Sequence, residues 1–165
     1  LCAWVEATIP EDAFGLASTS ASPMPQTPGA AAAAGGSSPL DAADQVRRIP
    51  GAYVLLIELA GPLRFERPAL GCAVLDGPLV YVGSARGGGG IGARLARHLR
   101  GDKPVRWHVD ELTNRASALA ALAVPGGSEC SLAARLLESG RFVPAMRGFG
   151  SSDCRICAAH LLKPE

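Results

Sequence analysis

The sequence predicts an α/β domain of the α+β kind, a small, mostly antiparallel sheet flanked by helices, behind a low-complexity N-terminal tail. Three observations carry this reading. Short aliphatic runs at Ala52 to Leu59, Leu70 to Leu75 and Leu79 to Val82 have the length and the turn-forming bounds of strands. Ile91, Leu95 and Leu99 follow at intervals of four, the spacing of an amphipathic helix. Glu129 to Ser139 puts Leu132, Leu136 and Leu137 on one helical face and stops at Gly140. With 165 residues, 48% hydrophobic and 19% charged, the chain suits one ordinary domain and leaves little room for a second. Aromatic residues are 5% of the chain, so its core must rest on Leu, Val, Ala and Ile.

Of the first 50 residues, 27 are Ala, Pro, Ser or Gly, and Ser18 to Ser38 holds almost nothing large and apolar. Such a segment buries too little surface to offset its ordering entropy, so residues 1–40 are expected to be a disordered tail and 41–165 the domain. Asp41 to Pro50 reads as one or two helical turns closed by the proline. Ala52 to Leu59, nearly all apolar, reads as a mostly buried strand. Asp76-Gly77 tolerates the positive φ angles of a tight hairpin and is expected to join the next two strands, giving three antiparallel strands in sequence. The glycines 87–90 form a loop, and the helix Ile91 to Arg100 follows. Val105 to Leu112 is either a strand or a helix start; if extended, His108 and Asp110 share one side and Trp107 and Val109 the other. The stretch from Arg147 to Leu162 is rich in turn residues, then apolar.

Charge divides the chain. No Lys or Arg precedes Arg47, whereas from there on 16 basic residues face 10 acidic ones. Arg86, Arg94, Arg97, Arg100, Lys103 and Arg106 crowd one stretch with Asp102 as its sole acid, and a polyanion such as DNA is the natural partner for that stripe. A solvated helix face is the plain alternative. No apolar run approaches eighteen residues, so no membrane span is expected. Leu1 to Pro10 lacks the basic and apolar segments of a signal peptide, which makes a reducing, cytoplasmic compartment the default. There the five cysteines are free thiols or metal ligands rather than a disulfide framework.

The strongest chemical signal is an ordered set: Gly51-Ala52-Tyr53, Tyr81-Val82-Gly83, Arg94 and, four residues on, His98. On a helix Arg94 and His98 share a stripe beside the Ile91–Leu95–Leu99 face, at the rim of the sheet where a cleft can form. This set, with Glu129, resembles the GIY-YIG nuclease superfamily. The match is closer still to its branch catalogued as domain of unknown function 123, some members of which are fused to endonuclease III. Gly51 to Leu55, Leu79 to Ala85, Arg94 to Arg100, Trp107 to Leu112, Glu129-Cys130, Gly148 to Cys154 and His160-Leu161 carry that likeness over about residues 50–162. Ala52 and Val82 stand where the superfamily has isoleucine.

The resemblance implies Mg²⁺-dependent hydrolysis of DNA phosphodiester bonds. Tyr53 or Tyr81 then orients and activates water, Arg94 contacts the phosphate with His98 beside it, and Glu129 holds the ion. Arg86, Arg97, Arg100, Lys103 and Arg106 are the expected nucleic-acid contacts, with His108 and Asp110 as accessory groups. A phenol with a reference pKa near 10 needs neighbouring positive charge to act as a base. A non-catalytic nucleic-acid-binding module of the same fold is the alternative. Cys154-x2-Cys157-x2-His160, with Cys130 as fourth ligand, has the donor types of a zinc site. The gap before His160 is shorter than the usual finger spacing, so buried thiols and a core or capping histidine are the preferred reading, and a small zinc-stabilised interaction domain is the third one.

Overall fold

The computed structural model describes residues 48–152 and 154–165, so the expectations for residues 1–40 and for the turns at Asp41 to Arg47 lie outside the described residues. The elements are β1 (Gly51–Leu59), β2 (Leu63–Arg67), β3 (Gly71–Leu75), β4 (Pro78–Ser84), α1 (Gly90–Leu99), α2 (His108–Asn114), β5 (Ala116–Pro125), α3 (Glu129–Glu138), β6 (Phe142–Pro144) and β7 (Leu161–Pro164). Five strands form one antiparallel sheet in the order β5-β1-β4-β7-β6, and β2 and β3 form a separate ribbon. This is the α+β architecture that the apolar runs and the helical spacings predict. No helix among the described residues is long and apolar enough to cross a membrane.

β1 is central because both of its faces are covered. Tyr53, Leu55, Ile57 and Leu59 enter one core with Leu79, Phe65, Ile91, Leu112 and Phe149. Ala52, Val54 and Leu56 enter the other with Val80, Val82, Leu132, Leu136 and Leu162. A strand buried on both faces needs apolar residues at consecutive positions, which is why β1 reads as a continuous run. α1, α2 and the β2–β3 ribbon cover the first face; α3 covers the second.

Two expectations change, and of the two readings left open for Val105 to Leu112 the helix start holds. Asp76-Gly77 does not close a hairpin between β3 and β4: β3 pairs with β2 and β4 with β1, and Gly77, at φ +64°, turns the chain from the ribbon into the main sheet. β2 itself, LRFER between two prolines, buries Leu63 and Phe65 and exposes Arg64 and Glu66, a period-two pattern short enough to pass as loop. Residues 108–114 are helical, so His108 and Asp110 do not share a side. Asp110 instead reaches back to accept from the N–H groups of Arg106 and Trp107 at 2.9 and 3.0 Å, which fixes the helix start. Finally, Leu99 is 53% exposed while His98 is 1% exposed, so the buried stripe of α1 runs through the histidine rather than beside it.

A candidate active-site cleft beside a cysteine–histidine cluster

One cleft of roughly 560 Å³ opens where β1, β4, α1, α2 and α3 meet, and Tyr53, Tyr81, Arg94 and Glu129 all line it. Sheet register brings the tyrosines together. Leu55 faces Tyr81 and Tyr53 faces Gly83 across β1 and β4, which puts the two rings on one face as diagonal neighbours with centroids 6.4 Å apart. A Cβ on Gly83 would fall inside the Tyr53 ring, so the final glycine of Tyr81-Val82-Gly83 is the floor on which that ring lies. Gly150, at φ +71°, does the same for Tyr81: a Cβ there would sit 2.8 Å from the ring. Phe149 adds an edge-on contact that holds Tyr81 from the other side.

The Tyr53 hydroxyl lies 2.9 Å from His98 Nε2 in a buried hydrogen bond. His98 Nδ1 in turn faces Asp110 Oδ1 at 3.7 Å, and neither atom has a hydrogen-bond partner among the described residues. Burial pushes the His98 imidazole down to about 4, and Asp110, which acts the other way, does not offset it. The ring is therefore neutral near pH 7, and the carboxylate beside Nδ1 favours the tautomer with the proton there and the Nε2 lone pair toward Tyr53. In that tautomer the Tyr53 hydroxyl donates its hydrogen bond to His98 Nε2. Asp110, 0% exposed, stays ionised: burial works against its charge, but the N–H groups of Trp107 and Arg106 and a 2.6 Å ion pair with Arg97 outweigh it.

Burial also raises both phenols, Tyr81 to about 12 and Tyr53 further, and the negative charge of Glu129 adds to this while Arg94 opposes it. Arg94 reaches the cleft over the face of Trp107, 4.3 Å from the ring centroid. Glu129 stands in the first turn of α3, where a carboxylate is favoured by the helix dipole, and its Oε2 is buried without a hydrogen-bond partner among the described residues. An unpartnered, half-buried carboxylate oxygen facing a polar cleft is the donor a hard cation takes.

The expected nucleic-acid contacts separate into two groups. Arg86, Arg100 and Arg106 are exposed, and Arg106 lines the cleft. Lys103 is 3% exposed and spends its ammonium on the carbonyls of His98 and Arg100 and on Asn114 Oδ1, which caps the end of α1. Arg97 is held by Asp110 and the Pro104 carbonyl. These two are corrections: the stripe was read from sequence proximity, and the turn after α1 folds Lys103 inward. His108 lines the cleft, but its ring packs edge-on against Phe65 and beside Phe149. Two cleft residues went unassigned. Trp107 is 40% exposed between the Arg94 and Arg97 guanidinium groups. Arg155, inside the Cys154-x2-Cys157 spacer, is exposed at the cleft wall, a placement that its position in the sequence does not signal.

Along the same wall Cys130, Cys154, Cys157 and His160 converge, with every donor atom within 4.8 Å of the others. Cys130 Sγ lies 3.5 Å from Cys154 Sγ and 4.0 Å from His160 Nε2. The backbone N–H groups of Cys157 and Ile156 point at Cys154 Sγ, at 3.2 and 3.4 Å, and hold that thiol down to about 7.

No curated protein and no solved structure matches the chain. The family model described as domain of unknown function DUF123 matches residues 52–165, which takes in both tyrosines, the helices that complete the cleft and all four members of the cysteine–histidine cluster. On that match the chain belongs to the DUF123 family.

Proposed function

We propose that the protein is a GIY-YIG-like endonuclease that hydrolyses DNA phosphodiester bonds with Mg²⁺ as cofactor, in a cytoplasmic setting. The observation that supports this most is the convergence of Tyr53, Tyr81, Arg94 and Glu129 on one cleft, although they are spread along the chain from β1 to α3. Hydrolysis needs a base for water, a cation on the developing phosphorane charge and a proton or cation for the departing oxygen. Tyr81, the more exposed phenol, orients the water, and Tyr53, fixed by its hydrogen bond with His98, positions a second hydroxyl in the cleft. Arg94, carried over the Trp107 ring, meets the phosphate. Glu129 would hold the divalent ion, whose charge would offset the small contribution that the carboxylate adds to burial in raising both phenols, and would make a bound water more acidic and neutralise the departing oxygen.

The test is cleavage and binding of branched, nicked and linear DNA by the full chain, with and without Mg²⁺. Glu129→Gln should lower cleavage at least about 100-fold, the order lost when a transition state loses one charge-stabilising group, and should retain DNA binding. Arg94→Ala should lower both. Binding by the wild type without Mg²⁺-dependent cleavage would move the protein to the non-catalytic binding module, and cleavage by both variants at the wild-type rate would remove the site from the chemistry.

A further inference from the structure

We infer that Cys130, Cys154, Cys157 and His160 bind one zinc ion in a closed, tetrahedral, structural site. The inference is independent of the nuclease reading, since none of the four is needed for phosphate or Mg²⁺ contact. Zinc–sulfur bonds of about 2.3 Å set tetrahedral ligand–ligand separations of about 3.8 Å. The 3.5 Å sulfur–sulfur separation is close to that edge, the 4.0 Å sulfur–nitrogen separation is a few tenths of an ångström above the corresponding edge of about 3.6 Å, and all donor pairs fall within 4.8 Å. Thiols that merely fill a core pack against carbon; here three sulfurs and an imidazole nitrogen face one another. Cys72, exposed on β3, shows what an uncommitted cysteine in this protein looks like.

Second contacts agree with a metal centre. Two backbone N–H groups, from Ile156 and Cys157, point at Cys154 Sγ, the arrangement that steadies a thiolate in a Cys-x2-Cys turn. The His160 backbone is fixed on both sides, its N–H donating to the Phe149 carbonyl at 2.8 Å and its carbonyl accepting from Val82 N–H at 2.9 Å, which holds the residue whose Nε2 faces the sulfurs. Four protein donors leave no open position, which makes the ion a fastener rather than a Lewis acid. What it fastens is evident. The described residues of 145–160 form no helix or strand, and while Met146, Phe149 and Ala159 anchor the ends of the segment in the core, the turn at Ile156, 91% exposed, has no such anchor. The ion ties it to Cys130 in the first turn of α3, next to Glu129.

The experiment uses the full chain, reduced and stripped of metal by a chelator, titrated first with Co²⁺ and then with Zn²⁺. One equivalent of Co²⁺ should give the intense visible bands of a tetrahedral thiolate site, and one equivalent of Zn²⁺ should abolish them. Zinc should also raise the thermal midpoint. Cys154→Ser should lower zinc affinity more than about 100-fold, beyond what loss of an outer-shell partner gives, whereas Cys72→Ser and Glu129→Gln should keep the stoichiometry. Octahedral cobalt spectra, no metal uptake by the reduced wild type, or a Cys130–Cys154 disulfide with a thermal midpoint indifferent to zinc would each overturn the site. Because the decisive titration is made on the wild type, misfolding of a variant cannot decide it.

Discussion

The two faces of the five-stranded sheet are built from alternate residues of the same strands, yet they are physically different objects. Behind β1, Ala52, Val54 and Leu56 meet Leu132 and Leu136 of α3 in a wholly apolar core. In front, the same strand sends Tyr53 into a buried polar chain that runs through His98 to Asp110 and Arg97. The rear face is held by area removed from water and tolerates substitutions in proportion to volume. The front face depends on its buried charges being paired, above all Asp110 with Arg97, because an unpaired buried charge costs several kcal/mol. One sheet thus places its cost in the face that lines the cleft, as expected where a fold carries a site.

The largest effect should come from cutting the polar chain at its charged end. Asp110→Ala removes the acceptor for the Arg106 and Trp107 N–H groups and leaves Arg97 without its carboxylate. Urea unfolding should show a loss of about 3–5 kcal/mol, the range for one partner of a buried pair. A loss under about 1 kcal/mol, as for an exposed pair, would erase the contrast between the faces. On the apolar face, Leu136→Ala should cost about 2–5 kcal/mol by leaving a cavity against Val54 and Phe142, with DNA affinity per folded molecule unchanged. If it altered affinity as well, the two faces would be coupled through β1.

Acid should separate the faces further, since only the front one titrates. The unfolded His98 imidazole takes a proton below about 6.5, whereas the native one, desolvated, takes it only near 4. The unfolded chain binds more protons between those values, so stability is full above pH 6.5 and falls as pH drops toward 4, by roughly 3 kcal/mol for this group. Burial lowers His108 and His160 too, and both act in the same direction. Subtracting the profile of His98→Gln from that of the wild type isolates the contribution of His98. A flat difference between pH 4 and 6.5 would mean that water reaches the ring.

What was legible in the chain follows the same division. β1 and α3 are readable because the rear face asks only for apolar residues at the right period, and Ala52 to Leu59 and Leu132 to Leu137 supply them. β5, ASALAALAVP, carries no such signal: alanine favours helix, and only nine register partners on β1 hold it as a strand. The front face hid its arrangement for a different reason. His98 occupies a core position that a polar residue takes only when Tyr53 and Asp110 are there to meet it, and those partners lie 45 and 12 residues away. Spacing alone likewise made Cys154-x2-Cys157-x2-His160 look too short for a metal site. The fold supplies Cys130 from α3 and so removes the need for finger spacing.

The smallest effect sharpens the comparison at the protein surface, where the basic stripe divides into residues that face solvent and residues absorbed by the fold. If DNA lies in the cleft, each guanidinium that neutralises a phosphate adds about 0.9 to the log–log slope of affinity against salt. Arg106, exposed at the cleft, should behave this way, and Arg106→Ala should lower the slope by about one unit and weaken binding to all sequences alike. Lys103 should not. Its ammonium is enclosed by two carbonyls and the Asn114 amide oxygen, so Lys103→Met should leave the salt slope unchanged while loosening the end of α1 and lowering the thermal midpoint. Equal changes in slope for the two variants would put Lys103 back among the phosphate contacts and show that the turn after α1 opens when DNA binds.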